Sequence, residues 1–185
     1  MKENGFNTHF PYLLTILCVV RLNPKTIEVK LSPLGWKIPL EKHSHFDNVD
    51  LLKNALRQTH FAIQEFHRRG FVHHDIRWPN IVRDGIYFIL IDYDHAREMG
   101  KDGWVRKIDV NLDENSHWIQ RLREKHSVEV DYWGFGNLMR SFYGCSGVEA
   151  NAIRQAGLSI CSKLEADPDK PFNLESFKEE FGTLS

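Results

Sequence analysis

Residues 73–80 read HHDIRWPN, and Asp92 follows in IDYDHA, residues 91–96. Asp75, Asn80 and Asp92 each adjoin an apolar segment. Between them lie two short apolar runs, NIVR and YFILID, separated by Asp84-Gly85. A DG pair between such runs predicts a β-hairpin. The hairpin folds the chain back, so the loop bearing Asp75 and Asn80 meets the strand end bearing Asp92. Two carboxylates and an amide then converge. Hard oxygen donors of this kind suit Mg2+, which keeps waters and shares itself with substrate phosphates. A carboxylate left over can orient a hydroxyl nucleophile. Arg77 can neutralise charge on a transferring phosphoryl group, a reaction that needs positioning and charge stabilisation above all. Taken singly, Asp75 reads as a turn cap and Asn80 as a strand start; their joint spacing with Asp92 favours chemistry.

Upstream, a helical pattern begins near Phe46, with Asp47 or Asn48 as N-cap. Leu51, Leu52, Ala55, Leu56, Thr59, Ala62, Ile63 and Phe66 recur at steps of three and four. Gly70 stands where a C′ glycine ends a helix. Residues 12–21 read as a strand, RLNPK as a turn, and TIEVKL (26–31) as the second strand of a hairpin that SPLG breaks. Residues 97–127 are polar, with a short helix expected near HWIQRLREKH. DYWGFGNLMRSFY reads as a buried helix and residues 148–165 as an amphipathic one; DPDKP is a turn, and NLESFKEEF a short final helix capped by Asn173.

The 185 residues suffice for one domain or a large lobe, and 42% hydrophobic with 26% charged residues predicts a folded chain. Nothing in a net charge of −1 suggests the concentrated basic patch of a nucleic-acid surface, and neither nucleic acid nor a membrane is an expected partner. Three widely spaced cysteines, Cys18, Cys145 and Cys161, suit an intracellular, reducing compartment better than a disulfide framework. The apolar run PYLLTILCVVR lacks the flanks of a signal peptide and the length of a membrane span, so it reads as a buried strand. His73 reads as a packed core histidine, Trp78, Trp133 and Phe135 as core aromatics, and QRLREKH as a solvated helix face.

HHDIRWPN resembles the catalytic loop of protein kinases, His-Arg-Asp followed by four residues and Asn. IDYD resembles their metal-binding Asp-Phe-Gly segment, VDYWGFG (130–136) the downstream helix that anchors the loop, and VKLSPLG the fifth strand and hinge. The join RRGFVHHD fits as well. The resemblance covers about residues 12–145 and implies an α+β fold: a mainly helical C-terminal lobe (36–185) preceded by a remnant N-lobe hairpin and hinge (1–35). It implies Asp75 as catalytic base, Arg77 in place of the usual catalytic-loop lysine, Asn80 and Asp92 as metal ligands, and Asp92 with Ser32, Leu34 and Val82 around the nucleotide, Val82 below the adenine. Asp131 holds the backbone around His73, which stacks with Tyr93. ATP and Mg2+ are the implied cofactors, and a protein substrate or partner fits the family.

Departures accompany it. The sequence holds no Gly-x-Gly-x-x-Gly before the hairpin and no Ala-Pro-Glu before residue 130. Lys30, only 45 residues before Asp75, reads as a strand or hinge residue instead of the phosphate-binding lysine. His74 replaces the arginine that pairs with a phosphorylated activation loop, and Asp94 a flexible glycine. The expected function is a phosphotransferase acting on a hydroxyl, weak because the N-lobe is truncated. A catalytically inactive kinase-like binding module, and a small-molecule kinase of the aminoglycoside and choline type suggested by Asp-x-Asp, are the alternatives. SPLG with HHDIRWPN also resembles the kinase-like domains of Crinkler-type effectors.

Overall fold

The computed structural model describes residues 15–23, 26–32, 36–37, 46–99, 128–166 and 177, with side chains described over 46–99, 128–166 and 177. Its longest helix, α1 (Val49–Arg68), starts where the sequence reading places it. Of the two expected caps it is Asn48 that serves: its side chain accepts the Leu51 N–H at 2.8 Å. The helix stops at Gly70, whose φ of +83° is left-handed and whose N–H donates to the His67 carbonyl at 2.9 Å. Leu52, Ala55, Leu56, Ala62 and Ile63 form its buried stripe.

Against that stripe lies the central hairpin. Strands β5 (Ile81–Asp84) and β6 (Tyr87–Leu90) pair antiparallel, with Ile81 opposite Leu90 and Arg83 opposite Phe88. Side chains alternate between faces, so Ile81, Phe88 and Leu90 enter the main core while Val82 and Ile89 point the other way. Asp84 is paired with Tyr87, which moves the turn one residue beyond the expected Asp84-Gly85. Gly85, at φ +58°, takes the first central position, as type II′ turns require, and Ile86 the second. Gln58 of α1 stitches the hairpin down. It accepts the Phe88 N–H at 2.7 Å and donates to the Ile86 carbonyl at 2.9 Å.

A short strand that the sequence did not announce, β3 (Trp36–Lys37), extends this sheet by pairing with β5. A second two-stranded ladder joins β4 (Phe71–Val72) to β7 (Arg97–Glu98). The first hairpin, β1 (Thr15–Asn23) with β2 (Thr26–Ser32), forms as expected but is shifted. Asn23 pairs with Thr26, so Leu22 and Asn23, read as turn, belong to β1. A two-residue connection leaves no room for the longer turn.

Two further helices lie among the described residues. α2 (Val128–Arg140) begins three residues before Asp131 and ends before Ser141, so Ser141–Tyr143, read as helical, are not. α3 (Val148–Ala166) matches the expected 148–165 within a residue. The two cross glycine to glycine: a Cβ at Gly157 would stand 2.5 Å from the Gly136 carbonyl oxygen. Phe135, Leu138, Ile153, Ile160 and Phe177 close the core beneath α1. The expected helix near HWIQRLREKH, the DPDKP turn and most of the final helix lie outside the described residues; within the last, Phe177 is helical and buried. The result is a mostly helical α+β chain with small sheets.

Candidate active site

The loop after β4 is held from below by one carboxylate. Asp131, fully buried in the first turn of α2, accepts the backbone N–H groups of His73 and His74 at 2.8 Å each. Its Oδ2 also meets His67 Nε2 at 2.8 Å. Burial alone would push this carboxyl up. The His67 hydrogen bond, with the nearby His73, outweighs it and keeps the group below the usual carboxylate range. These bonds offset the strain at His74, which sits at φ +70°, a conformation rare for residues other than glycine. α2 also approaches the loop closely at Gly134, where a Cβ would lie 2.8 Å from both the Cβ and the carbonyl oxygen of Ile76.

His73 is the packed histidine the sequence suggests. Its Nε2–H donates to the Ile91 carbonyl at 3.0 Å, and its Nδ1 accepts the Asp75 N–H at 3.3 Å. That pairing uses one ring nitrogen as donor and the other as acceptor, which defines a neutral imidazole. Burial pushes its pKa down in keeping. The ring meets Tyr93 edge-on at 5.2 Å, and Phe66 stacks on Tyr93 at 5.4 Å. The loop, the IDYD segment and α1 are thereby locked together.

Above this platform stand the candidate chemical groups. Asp75 is 8% exposed. Its Oδ2 accepts the Asn80 Nδ2–H at 2.6 Å and forms an ion pair with Arg77 Nε at 3.0 Å. Asn80 Nδ2 also donates to the Asp75 carbonyl at 2.9 Å. Both side-chain partners fall on Oδ2, which leaves Oδ1 outside these two contacts. Arg77, read as a phosphoryl contact, is half-exposed yet paired. The Ile91 N–H donates to the Asn80 carbonyl at 2.9 Å, which brings the two segments side by side. Asp92, the next residue, is exposed and left-handed at φ +67°, and it opens a 3-10 turn over Tyr93–His95.

The fold thus brings Asp75, Arg77 and Asn80 into contact and sets Asp92 one residue from the same backbone bridge. Val82 is buried in β5 opposite Lys37 and Ile89, on the hairpin face turned away from the main core. Ser32 ends β2, paired with Thr15, and Leu34 lies outside the described residues. Lys30 is a β2 residue paired with Cys18, as a strand reading requires. Sequence reasoning missed His67 and Gly134. A histidine in a helix's last turn reads as a partner for the helix dipole, and only its spacing before His73 could have marked it.

Asn80 and Asp92 offer one amide and one carboxylate oxygen, a hard donor set that fits Mg2+ shared with phosphates. Among the described residues no cluster of three or more His, Cys, Asp or Glu is placed to hold a metal by protein ligands alone. No described helix is long and apolar enough to cross a membrane.

No protein-family model matches the chain. Over 125 residues it is 27% identical to Crinkler effector protein 8 of Phytophthora infestans, a match covering 66% of this chain and 20% of that protein. The chain therefore spans about a fifth of that relative's length. The solved structure of the Cydia pomonella granulovirus kinase PK-1 aligns with a TM-score of 0.55 at 13% identity, over 92% of this chain and 68% of that one. A likeness at that identity speaks for the fold alone. By these findings the chain has a protein-kinase-like fold and a Crinkler effector as a distant relative.

Proposed function

We propose that this chain is an ATP- and Mg2+-dependent phosphotransferase acting on a hydroxyl. The observation that carries the reading is Asp75, fixed through Oδ2 by Asn80 and Arg77, with Oδ1 outside these contacts. In this reading Oδ1 takes the proton of the acceptor hydroxyl as its oxygen bonds to the γ-phosphorus. The bond from that phosphorus to the β–γ bridging oxygen breaks, and ADP leaves. Arg77, anchored on Asp75 by Nε, turns its remaining donors toward the transferring group. Mg2+ on Asp92 and Asn80 would neutralise phosphate charge. Val82, on the hairpin face turned away from the core, would lie under the adenine, with Ser32 and Leu34 along the hinge. Residues 1–35 are then the upper hairpin and hinge, and 36–185 the lower lobe. The pairing of β3 with β5 supports a boundary at that point.

Turnover is expected to be slow. The 185 residues contain no Gly-x-Gly-x-x-Gly, and Lys30 is a strand residue paired with Cys18. The same observation favours the second reading, a kinase-like module that binds without catalysis. Asp94, two residues beyond Asp92, favours a small-molecule acceptor over a protein. Radiolabelled-phosphate transfer, with Asp75→Asn as control, tests the proposal. Slow Mg2+-dependent transfer abolished in the control is the expected result. Nucleotide binding with no transfer selects the binding module. Turnover at ordinary kinase rates of about 1–100 per second refutes the impaired site.

A further inference from the structure

Tyr93 stands where the resembled Asp-Phe-Gly segment has phenylalanine, so its hydroxyl is a feature of this chain. The ring lies edge-on to His73 at 5.2 Å and stacks on Phe66 at 5.4 Å. A phenylalanine could make both contacts. The hydroxyl adds a third: it donates to the Leu90 carbonyl at 2.6 Å, three residues back along the chain. That bond closes a loop of backbone around Ile91 and Asp92. The segment is tied on either side of it. Before Asp92, the Ile91 N–H donates to the Asn80 carbonyl at 2.9 Å, and the Ile91 carbonyl accepts the His73 Nε2–H at 3.0 Å. After Asp92, the Ala96 N–H donates to the Tyr93 carbonyl at 3.0 Å, and Arg97 Nη1 donates to the Ala96 carbonyl at 2.6 Å.

Asp92 is the exposed residue of this closed loop, and its φ of +67° is rare for any residue but glycine. Relaxation to a negative φ would rotate everything after it about the Asp92 N–Cα bond. Tyr93 would then swing away from Leu90, and the hydroxyl bond would break. The bond therefore opposes the rotation and offsets part of the cost of the left-handed backbone. Asp94, in the 3-10 turn where the resembled segment has glycine, removes the residue best able to absorb such a rotation. We infer that Tyr93 is a positioning residue, whose hydroxyl latches the backbone of Asp92 left-handed, one residue from the bridge to Asn80. The metal side of this inference rests on the phosphotransferase reading; the backbone side does not.

Nitrogen-15 relaxation in the full chain tests the backbone side directly. Tyr93→Phe removes one oxygen and keeps the ring. In this variant the order parameters of the Asp92, Asp94 and Ala96 amides are expected to fall from about 0.85 to below about 0.6, or the same amides to show relaxation dispersion absent from the wild type. The Ile153 and Ile160 amides in α3 are expected to stay rigid. Tyr93→Leu, which loses the stacking as well, is expected to loosen the segment further. If Tyr93→Phe matches the wild type and only Tyr93→Leu is loosened, stacking alone holds the turn and the inference is overturned. Loosening of α3 to the same extent as the segment overturns it too. Titration calorimetry with ATP tests the metal side. Affinity without metal is expected to be equal in wild type and Tyr93→Phe. The gain on adding Mg2+ is expected to shrink about threefold to tenfold in the variant, as loss of one hydrogen bond implies. An unchanged gain, or an equal loss of affinity with and without Mg2+, overturns the link to Asp92. A wild type whose ATP affinity gains nothing from Mg2+ refutes the phosphotransferase reading instead, and the relaxation data then decide the role of Tyr93 unaided.

Discussion

Replacing Asp131 with alanine removes the acceptor of three buried contacts at once, those of the His73 amide, the His74 amide and His67, each at 2.8 Å. A buried donor left without an acceptor costs about 1–3 kcal/mol. The three are not independent, since water can enter the space and the loop can relax. Breaking a buried charged contact by deleting one partner costs about 3–5 kcal/mol, and that range is expected for Asp131→Ala. For a chain of this size each kcal/mol lowers the melting temperature by about 2–4 °C, so the shift should be near ~10 °C. Asp75→Ala supplies the contrast. Its partner Arg77 is half-exposed and can turn to water, and Asn80 keeps its bond to the Asp75 carbonyl. Its melt should lie within about 3 °C of wild type. Calorimetric or circular-dichroism melts of both variants decide the matter. A smaller shift for Asp131→Ala than for Asp75→Ala would refute the division of labour between anchor and chemistry.

Titration calorimetry should show nucleotide affinity that rises with Mg2+ in the wild type and loses that rise in Asp92→Ala, with a melt within about 4 °C of wild type because Asp92 is exposed and only its left-handed backbone is at stake; equal affinities in Mg2+ would remove Asp92 from the metal site. The Arg68 hydrogen bond foremost, with Arg69, holds Glu65 down to about 2 from its ordinary 4.5. Its folded pKa is depressed, so its stabilising share is full above pH 4.5 and drains away as pH falls toward 2. Acid melts across that window should show a shallower loss for Glu65→Gln than for wild type, and parallel curves would contradict the assignment. Burial pushes the Cys161 thiol up to about 12 and that of Cys145 upward as well, so mass spectrometry after native alkylation should find both unmodified until the chain is unfolded.

Much of this arrangement was legible in the sequence because it is written in local signals. Asn48, Gly70 and the three- and four-residue apolar steps announce α1. The run Asp75 to Asn80 needs only five residues and one 3-10 turn over Trp78–Asn80 to bring its two side chains together. Asp131 as anchor followed from the resemblance, since nothing within 50 residues of it hints at His73. What escaped was set by tertiary contact. β3 is two residues long and exists only because β5 offers an edge. The turn slipped to Gly85-Ile86 because strand pairing, not the DG pair, chooses the central positions. His67 and Gly134 gain meaning only once α2 packs on the loop, a distance in sequence that no periodicity spans.

His74 and Asp92 are the two residues other than glycine with positive φ among those described. One precedes Asp75, and the other is itself a candidate ligand. Each such conformation costs of order ~1 kcal/mol, and glycine would relieve it at both places. A population of variants selected for folding alone should therefore drift toward glycine at positions 74 and 92. One selected for the chain's own task should resist that drift at 92, where the carboxylate would be lost. The divergence between the two lineages would measure how far selection for activity, as distinct from selection for stability, still acts on this loop.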